Sequence, residues 1–383
     1  MARTYDVAVI GAGVFGAWTA LRLEERGARV LLVDAYGPAT SRASSGGETR
    51  IIRAAYGADE IYTRWAMESL ADWQEFFRQA NQPLFFPAGV LWIARADHPR
   101  AKTTLETLKR LGVAHEWLTR SQIQQRWPQM RLESDEDGIF EPQSGGIAAR
   151  RAVQAVVAEF ERRGGTYRQA RVEAPNEDAT WLDEITLSDG ARVSAEQYVF
   201  ACGAWMAKLF PRAIGDRIFA TRQEVFFFGV PAGDARFSMP LLPIWYRLDD
   251  EFYGFPDIQG RGVKIASDRR GPAHDPDSAE RMPTVEALGA ARAALARILP
   301  DLAHAPTVES RVCQYENTPS GDFLIDRHPA LRNVWLAGGG SGHGFKHGPA
   351  IGRYVTRLVM ESAEPEERFR LAALGEAAQR KIR

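Results

Sequence analysis

The feature that most constrains the fold is a glycine-rich turn near the start of the chain, Gly11-Ala-Gly13-Val-Phe-Gly16. It lies between an apolar segment that predicts a buried strand, Tyr5–Ile10, and a segment with helical spacing, residues 17–26. In such a unit the first glycine permits the tight turn, the second lets a pyrophosphate approach the backbone, and the third lets the helix pack on the strand. A second predicted strand, residues 28–33, is followed by Asp34, where an acid can accept a hydrogen bond from a ribose hydroxyl. The turn therefore predicts a dinucleotide-binding unit, and by itself it leaves FAD and NAD open.

The composition is that of a soluble protein and excludes several classes of partner. The chain has 383 residues, which favours two domains over one simple core. Its net charge of -1 gives no reason to expect nucleic acid or an anionic membrane as a partner. The apolar stretch 7–23 is interrupted by glycines and is too short for a membrane span, and no secretory signal precedes it. We therefore expect a cytoplasmic protein.

The cysteine and histidine content argues against cross-links and metals. Cys202 and Cys313 are the only cysteines, which excludes a disulfide framework and suits a reducing compartment. The sequence has 7 histidines and no tight cluster of cysteine and histidine, so we expect no metal site.

The periodicity of the remaining chain predicts an α/β (α+β) fold with a discontinuous first domain. Helical spacing is found at residues 61–79, 102–111, 150–163, 285–299 and 349–361, and strand-like runs at 90–94, 198–201, 225–230, 245–253 and 333–337. Nucleotide-type elements occur at the start, middle and end, with other elements between them. We predict a Rossmann-like domain made of residues 1–82, 146–213 and 313–383, and a second domain with an antiparallel sheet made of residues 83–145 and 214–312.

Four further segments follow in order along the chain. They are Ser44-Ser-Gly-Gly-Glu-Thr-Arg-Ile-Ile-Arg53-Ala-Ala-Tyr56-Gly57, Tyr253-Gly-Phe-Pro256 with Gly262-Val-Lys264, Cys313-Gln-Tyr-Glu-Asn-Thr-Pro, and Gly340-Ser-Gly-His-Gly-Phe-Lys346. Together these segments resemble the monomeric sarcosine oxidase and N-methyl amino acid oxidase family of D-amino-acid-oxidase-like flavoproteins. The resemblance implies an FAD-binding domain into which an antiparallel-sheet substrate domain is inserted.

The resemblance also implies which residues hold the FAD. They are Gly11, Gly13, Gly16, Asp34, Ser44, Thr49, Arg50, Cys313, Gly340, Gly342, Gly344, Phe345 and Lys346. Arg50 is expected to lie against the flavin ring and to take part in catalysis. The glycine-rich loop before Lys346 is expected to present backbone N–H groups to the flavin pyrimidine. Cys313 matches the cysteine that is bonded to a methyl group of the flavin in sarcosine oxidases, although a free cysteine is more often a small buried hydrophobe.

The substrate residues implied by the resemblance are mainly cations. Arg53 and Lys346 are expected to bind a substrate carboxylate, for which a guanidinium offers a matching fork of donors. Without the resemblance, a surface arginine in a salt bridge and an exposed loop lysine would be the ordinary alternatives. Lys264 is expected to activate oxygen, because a fixed cation favours the formation of negatively charged superoxide. A solvated strand lysine is the alternative for Lys264.

Aromatic residues and two departures from the family pattern bear on the substrate. The candidates to line an amine pocket are Trp245, Tyr246, Phe252 and Tyr253, and Tyr253 is also a candidate catalytic residue. Sarcosine oxidase has histidines at the positions of Gly46 and Asp268 in this chain. We therefore expect a larger N-substituted amino acid, with a polar or cationic tail that meets Asp268.

Together these features predict an FAD-dependent amine oxidase. It would oxidise an N-methyl, otherwise N-substituted or cyclic amino acid by hydride transfer to flavin N5, and reduce oxygen to hydrogen peroxide. The alternatives are an oxidase of sugar–amino-acid (fructosyl) adducts, a flavin-dependent dehydrogenase with another electron acceptor, and a dinucleotide-binding protein without activity. We expect a monomer whose partners are a small amine or amino acid and oxygen.

Overall fold

The computed structural model describes residues 4–375. The strands are β1 (Tyr5–Ile10), β2 (Val30–Asp34), β3 (Thr49–Ile52), β4 (Phe85–Phe86), β5 (Val90–Arg95), β6 (Glu116–Leu118), β7 (Glu136–Glu141), β8 (Gly145–Ala148), β9 (Thr166–Gln169), β10 (Ile185–Thr186), β11 (Arg192–Val193), β12 (Ala195–Phe200), β13 (Phe219–Phe228), β14 (Ile244–Arg247), β15 (Phe252–Phe255), β16 (Val263–Ser267), β17 (Thr307–Asn317), β18 (Leu324–Arg327) and β19 (Val334–Gly338). The helices are α1 (Val14–Glu25), α2 (Glu60–Gln79), α3 (Pro99–Arg110), α4 (Arg120–Arg126), α5 (Ala149–Arg162), α6 (Met206–Leu209), α7 (Val285–Ile298) and α8 (Gly348–Glu361). Short 3-10 turns include Gly203–Trp205 and Phe345–His347.

The first sheet is the predicted nucleotide-binding sheet. It has six strands in the order β18-β19-β12-β1-β2-β9, and all neighbours are parallel except β18 and β19. Helix α1 packs against α8, and Gly352 of α8 lies so close to Trp18 that an added Cβ would be 2.8 Å from the Trp18 carbonyl oxygen. The α/β fold with a Rossmann-like unit is therefore confirmed.

The second sheet has eight strands in the order β17-β13-β16-β15-β14-β5-β7-β6. Its neighbours are antiparallel, except that β14 and β5 are parallel. The prediction of one strand over residues 245–253 is wrong, because β14 and β15 form a hairpin whose turn contains Glu251 at φ 56°. The run of acidic residues 249–251, Asp-Asp-Glu, is the signal for that turn.

A small third sheet, β3-β8-β4, carries the segment that follows the glycine turn. Strand β3 contacts the second sheet, because Lys264 of β16 donates hydrogen bonds to Thr49. The same strand contacts the turn Phe345–His347, which follows β19 of the first sheet. Strand β3 therefore lies where the two large sheets approach each other.

The first sheet draws its strands from the beginning, middle and end of the chain, and the second draws its strands from residues 90–141 and 219–317. The predicted boundary at residue 313 lies inside β17. The exact division into two domains stays a prediction. Among residues 4–375, no helix is both long and apolar enough to cross a bilayer.

Candidate active site

A cavity of about 330 Å³ lies above the glycine turn. The predicted cofactor residues that line it are Gly11, Gly13, Asp34, Ser44, Arg50, Gly340, Gly342, Gly344 and Phe345. Of the others, Thr49 and Lys346 line a second cavity, and Gly16 and Cys313 line neither. The structure therefore brings together most of the residues that the resemblance assigns to the FAD.

The glycines of the turn are required by close backbone contacts. Gly11 has φ 106°, and a Cβ there would lie 2.3 Å from the carbonyl oxygen of Ala201. A Cβ on Gly16 would lie 1.8 Å from the carbonyl oxygen of Gly11, so Gly16 serves packing rather than the cavity wall. At Gly13 an added Cβ would contact only Ser45 Oγ, at 3.5 Å, which leaves the backbone open towards the cavity. A ligand can therefore approach the start of helix α1 closely.

Asp34 organises the turn from the end of β2. Its carboxylate accepts hydrogen bonds from the backbone N–H groups of Ala12 (2.7 Å), Tyr36 (2.8 Å) and Gly37 (2.9 Å). Burial raises the pKa of this carboxyl, and the three N–H groups oppose that shift. Asp34 thus holds the loop in place while it faces the cavity.

The cavity suits an elongated ligand rich in oxygen atoms, as FAD is. Its walls offer the N-terminal end of α1, the Arg50 guanidinium, and the buried Ser44 hydroxyl, which has no hydrogen-bond partner among the described residues. Helix N-termini and guanidinium groups bind phosphate and other anions. A buried hydroxyl without a partner is expected to gain one from a ligand.

The second cavity, of about 70 Å³, adjoins the first. The two share four lining residues, Arg50, Tyr315, Gly342 and Phe345. The second cavity is lined by six residues predicted to bind substrate or to act in catalysis, namely Arg50, Arg53, Tyr253, Lys264, Asp268 and Lys346. A ligand of the larger cavity that reaches the shared residues would therefore lie beside these side chains.

Arg53 is buried between two aromatic rings. Its guanidinium carbon lies 4.0 Å from the centroid of the Tyr56 ring and 4.7 Å from that of Trp92. One guanidinium nitrogen donates to the carbonyl oxygen of Ala55. Within residues 4–375, no carboxylate lies within ion-pair distance of Arg53. The arginine is therefore a rigidly held cation with donors left for a ligand.

Glu141 holds this wall of the cavity from behind. Its buried carboxylate accepts from the N–H groups of Ala54 and Ala55, from Trp92 Nε1 at 2.8 Å, and from the Ser144 hydroxyl. It therefore fixes both the Arg53 segment and one of the rings that stack on the guanidinium. The sequence contained no signal for this role.

Lys346 is the second buried cation, and it is held by a residue that sequence reasoning missed. Its Nζ donates to the Tyr56 hydroxyl at 3.0 Å and to the carbonyl oxygen of His343 at 2.8 Å. The same hydroxyl also lies 2.8 Å from His347 Nε2 and 3.3 Å from His343 Nδ1. Burial and the positive charge of Arg53 lower the pKa of Lys346 well below its ordinary value. Tyr56 is in the quoted family segment, three residues after Arg53, which is the signal that could have identified it.

Asp268 lies at the other side of the cavity and is half buried. Its two carboxylate oxygens accept hydrogen bonds from the hydroxyls of Tyr246 and Tyr315, each at 3.0 Å. Tyr246 is stacked with Tyr253, with ring centroids 6.5 Å apart and planes inclined by 4°. Burial raises the pKa of Tyr253 to about 12 and that of Tyr246 well above 10.0. The hydroxyls of Tyr246 and Tyr253 are therefore neutral at ordinary pH.

Trp245 does not line the cavity, and its predicted place in an amine pocket needs correction. The side chain is 1% exposed and packs in the core on the other face of the second sheet, with Leu91 and Phe226. Successive side chains of a strand point to opposite faces, so its neighbour Tyr246 faces the cavity instead. Of the four aromatic candidates, Tyr246 and Tyr253 line the cavity, whereas Trp245 and Phe252 do not.

Lys264 and Arg50 lie on either side of Thr49. Lys264 Nζ donates to the Thr49 carbonyl oxygen (2.9 Å) and Oγ1 (3.2 Å), and it lies 4.4 Å from the centroid of the Phe255 ring. Arg50 donates to the same carbonyl oxygen at 2.9 Å. Burial, and then the charge of Arg50, lower the pKa of Lys264 well below its ordinary value. The charge on Lys264 is therefore sensitive to what occupies the cavity.

Cys313 lies beside Arg50, with Sγ 3.4 Å from Nη2. The thiol is partly exposed and forms no disulfide with Cys202.

Comparison with known proteins agrees with this geometry. Residues 6–358 match the DAO family, which is described as FAD dependent oxidoreductase. The chain belongs to this family. It is 30% identical to the monomeric sarcosine oxidase of Bacillus sp. strain NS-129, over 94% of both chains. It is 29% identical to the N-methyl-L-tryptophan oxidase of Citrobacter koseri, over 91% of this chain and 92% of the relative.

Solved structures show the same fold at lower identity. The L-proline dehydrogenase of P. horikoshii has a TM-score of 0.84 at 19% identity, covering 97% of this chain and 98% of its own. The fructosyl peptide oxidase of E. terrenum has a TM-score of 0.82 at 22% identity, covering 98% and 94%. The predicted family, fold class and FAD cofactor are confirmed, and the substrate and the roles of single residues stay predictions.

Proposed function

We propose that this protein oxidises secondary amines of the N-methyl, N-substituted or cyclic amino acid type and transfers the electrons to oxygen. The observation that supports it best is the pair of buried cations, Arg53 and Lys346, which face one small cavity. Buried charges in proteins are normally paired, and neither cation forms an ion pair with a carboxylate of the described residues. A substrate carboxylate would supply the missing partner.

In this proposal the side chains bind and orient the substrate. Arg53 and Lys346 hold the carboxylate, while Tyr246 and Tyr253 form an aromatic wall against the amine. Bound FAD supplies the acceptor for the hydride that leaves the carbon next to the amine nitrogen. The amine reacts as the neutral species, because its lone pair must form the new C=N bond. Water then hydrolyses the imine to an amine and a carbonyl compound.

The relatives support the amine chemistry and leave the substrate open. Two of them are named for sarcosine and N-methyl-L-tryptophan, both of which are N-methyl amino acids. The cavity of about 70 Å³ fits a small amino acid, or the reacting end of a larger one. A larger substrate would extend past the half-buried Asp268, where a cationic or hydroxyl-bearing tail would find a carboxylate.

Oxygen is the proposed electron acceptor, and Lys264 is the residue proposed to activate it. A buried ammonium held by Thr49 would stabilise the negative charge that develops on oxygen. We propose hydrogen peroxide as the product.

We further propose that the flavin is covalently attached through Cys313. The support is the position of the thiol beside Arg50, a residue that lines both cavities. Precipitation of the holoenzyme in acid is the test: attached flavin stays in the pellet, and a Cys313→Ser variant must release all of it. Yellow colour that is fully released from the wild type would exclude the attachment.

The function is tested by anaerobic reduction of the purified holoenzyme with sarcosine, N-methylated larger amino acids, proline and a fructosyl amino acid, followed by admission of oxygen. We expect an N-methylated amino acid to bleach the flavin fastest, with stoichiometric peroxide on reoxidation. The highest kcat/KM for the fructosyl adduct would favour that substrate class instead. Reduction without peroxide would favour a dehydrogenase, and no reduction by any amine would overturn the proposal.

We also propose that the protein is a cytoplasmic monomer. Light scattering of the holoenzyme would test the oligomeric state.

A further inference from the structure

Glu316 is a buried acid in the wall of the FAD cavity that no role described above uses. It lies on β17, three residues after Cys313, and only 9% of its surface is exposed. Its Oε1 accepts a hydrogen bond from the Gly340 N–H at 3.2 Å. Its Oε2 is buried and has no hydrogen-bond partner among the described residues.

The backbone around this carboxyl leaves it room and offers no charge to balance it. A Cβ added to Gly203 would lie 3.1 Å from Oε2, and one added to Gly340 would lie 3.2 Å from Oε1, so both glycines keep the carboxyl close to the main chain. Within residues 4–375, Glu316 forms no ion pair with a lysine, arginine or histidine. The other titratable groups that line the cavity are Asp34, Cys202, Tyr315, Arg50, Arg171 and Lys208, together with Tyr36 and Asp277.

We propose that Glu316 enters the FAD complex as a neutral carboxylic acid whose Oε2–H donates a hydrogen bond to an oxygen atom of the cofactor. A carboxylate here would face the cavity that receives the two negative charges of a pyrophosphate, and like charges in a buried site disfavour ionisation. A protonated acid instead provides the donor that a ribityl or phosphate oxygen can accept.

The protonation state of the free protein makes the proposal measurable. Burial raises the pKa of Glu316 to about 7 before any cofactor charge is added. The cofactor's negative charge raises this pKa further, so above about pH 7 the binding of FAD takes up one proton. The dissociation constant of FAD should then increase about tenfold for each pH unit above that value. Cys202 does not contribute in this range, because burial raises the pKa of its thiol well above 9.0.

The experiment titrates FAD into deflavinated protein that carries Cys313→Ser, so that no covalent bond traps the cofactor, from about pH 6 to about pH 9. We expect the logarithm of the FAD dissociation constant to rise by one per pH unit above about pH 7. Calorimetry in buffers of different ionisation enthalpy should show the uptake of one proton per FAD near pH 8. Glu316→Gln keeps the shape and an N–H donor but cannot titrate, so it should bind FAD as tightly as the unsubstituted protein does at low pH, with no slope. Glu316→Ala should also lack the slope and bind about 3- to 10-fold more weakly, as expected for one lost hydrogen bond.

A second measurement uses the intact holoenzyme and does not need a stable apoprotein. The infrared difference spectrum between wild type and Glu316→Gln at pH 8 should contain the C=O stretch of a protonated carboxylic acid, shifted in heavy water. A carboxylate band in its place would overturn the proposal. So would an unchanged pH slope in Glu316→Gln, or equal FAD affinity and slope in the unsubstituted protein and both variants.

Discussion

At the scale of single residues, the site is a set of buried cations whose protonation depends on their neighbours. Lys346 is surrounded by Tyr56, His343, His347 and Arg53, and burial lowers the pKa of His347 well below 6.5, so this histidine adds no positive charge at neutral pH. The main cation facing Lys346 is Arg53, which together with burial lowers the lysine pKa. A bound carboxylate would reverse that shift.

Binding of a carboxylate should therefore be linked to protonation of Lys346. In the free protein the lysine pKa is lowered, and a bound carboxylate raises it, so binding takes up a proton above the free value. We expect the dissociation constant of a carboxylate ligand that lacks an amine to increase about tenfold per pH unit above that pKa. Flavin absorbance changes on binding would report it. Lys346→Arg stays charged and should give a flat profile, and a slope identical to that of the wild type would contradict the linkage.

Lys264→Met should slow reoxidation by oxygen about 10²- to 10³-fold, the range for removal of one preorganised electrostatic group. Reduction by substrate should change far less. In the wild type the reoxidation rate should fall as pH rises through the lowered pKa of Lys264, because only the ammonium form carries the charge. Stopped-flow measurement of the two half-reactions separates the effects. Equal slowing of both would exclude the role given to this lysine.

At the scale of elements, the sequence predicted what depends on local periodicity. Helix α2 differs from the predicted range 61–79 by one residue at its start, and α5 differs from 150–163 by one residue at each end, because a long amphipathic segment is recognised by its spacing alone. The hairpin β14–β15 was missed, because its turn contains no glycine or proline and its flanking strands are short. Whether Trp245 or Tyr246 of β14 faces the cavity depends on which face of the second sheet packs against the core, and the spacing of residues along one strand does not reveal this.

Two glycine-to-alanine changes in helices should have opposite effects on stability. In Gly16→Ala the new Cβ would lie 1.8 Å from the Gly11 carbonyl oxygen, so we expect a loss of about 1–3 kcal/mol or more in the free energy of unfolding, and weaker FAD retention. In Gly289→Ala the new Cβ meets nothing within 4 Å on the exposed face of α7, so we expect a gain of about 0.5–1 kcal/mol. Urea denaturation measures both. A shift of the same sign in the two variants would show that Cβ contacts do not decide the outcome.

At the scale of the whole molecule, the site joins residues that are far apart in the chain. Tyr56 and Lys346 are 290 positions apart, and Thr49 and Lys264 are 215 apart. Periodicity cannot predict such pairs, because each depends on the packing of strand β3 against both large sheets. The resemblance to a family could propose which residues contact the ligands, because the family's segments occur in the same order along this chain. It did not indicate Glu141, and it assigned no role to Glu316, although Glu316 lies in the quoted segment that begins at Cys313.

Another long-range contact forms part of the wall of the FAD cavity. Asp277, in the segment between β16 and α7, accepts hydrogen bonds from Trp205 Nε1 (2.7 Å) and Lys208 Nζ (2.5 Å), and Tyr36 donates to it at 3.4 Å. All four residues line the cavity. The segment that follows β16 of the second sheet therefore contacts residues that follow strands of the first sheet. If FAD leaves the cavity past this contact, the contact should slow its release.

Asp277→Ala should accelerate dissociation of FAD from the Cys313→Ser protein about 3- to 10-fold, because it removes three hydrogen bonds, one of them part of an ion pair that solvent partly screens. The side chain is 45% exposed, so the difference should shrink at high salt. Asp234→Ala is the matched control, because it removes an exposed ion pair with Arg236 and neither residue lines the cavity. Release of FAD is followed by the recovery of its fluorescence. Equal release rates in the two variants would show that the contact does not hold the cofactor, and that the glycine turn, Ser44 and the residues around Cys313 retain it without help from the second sheet.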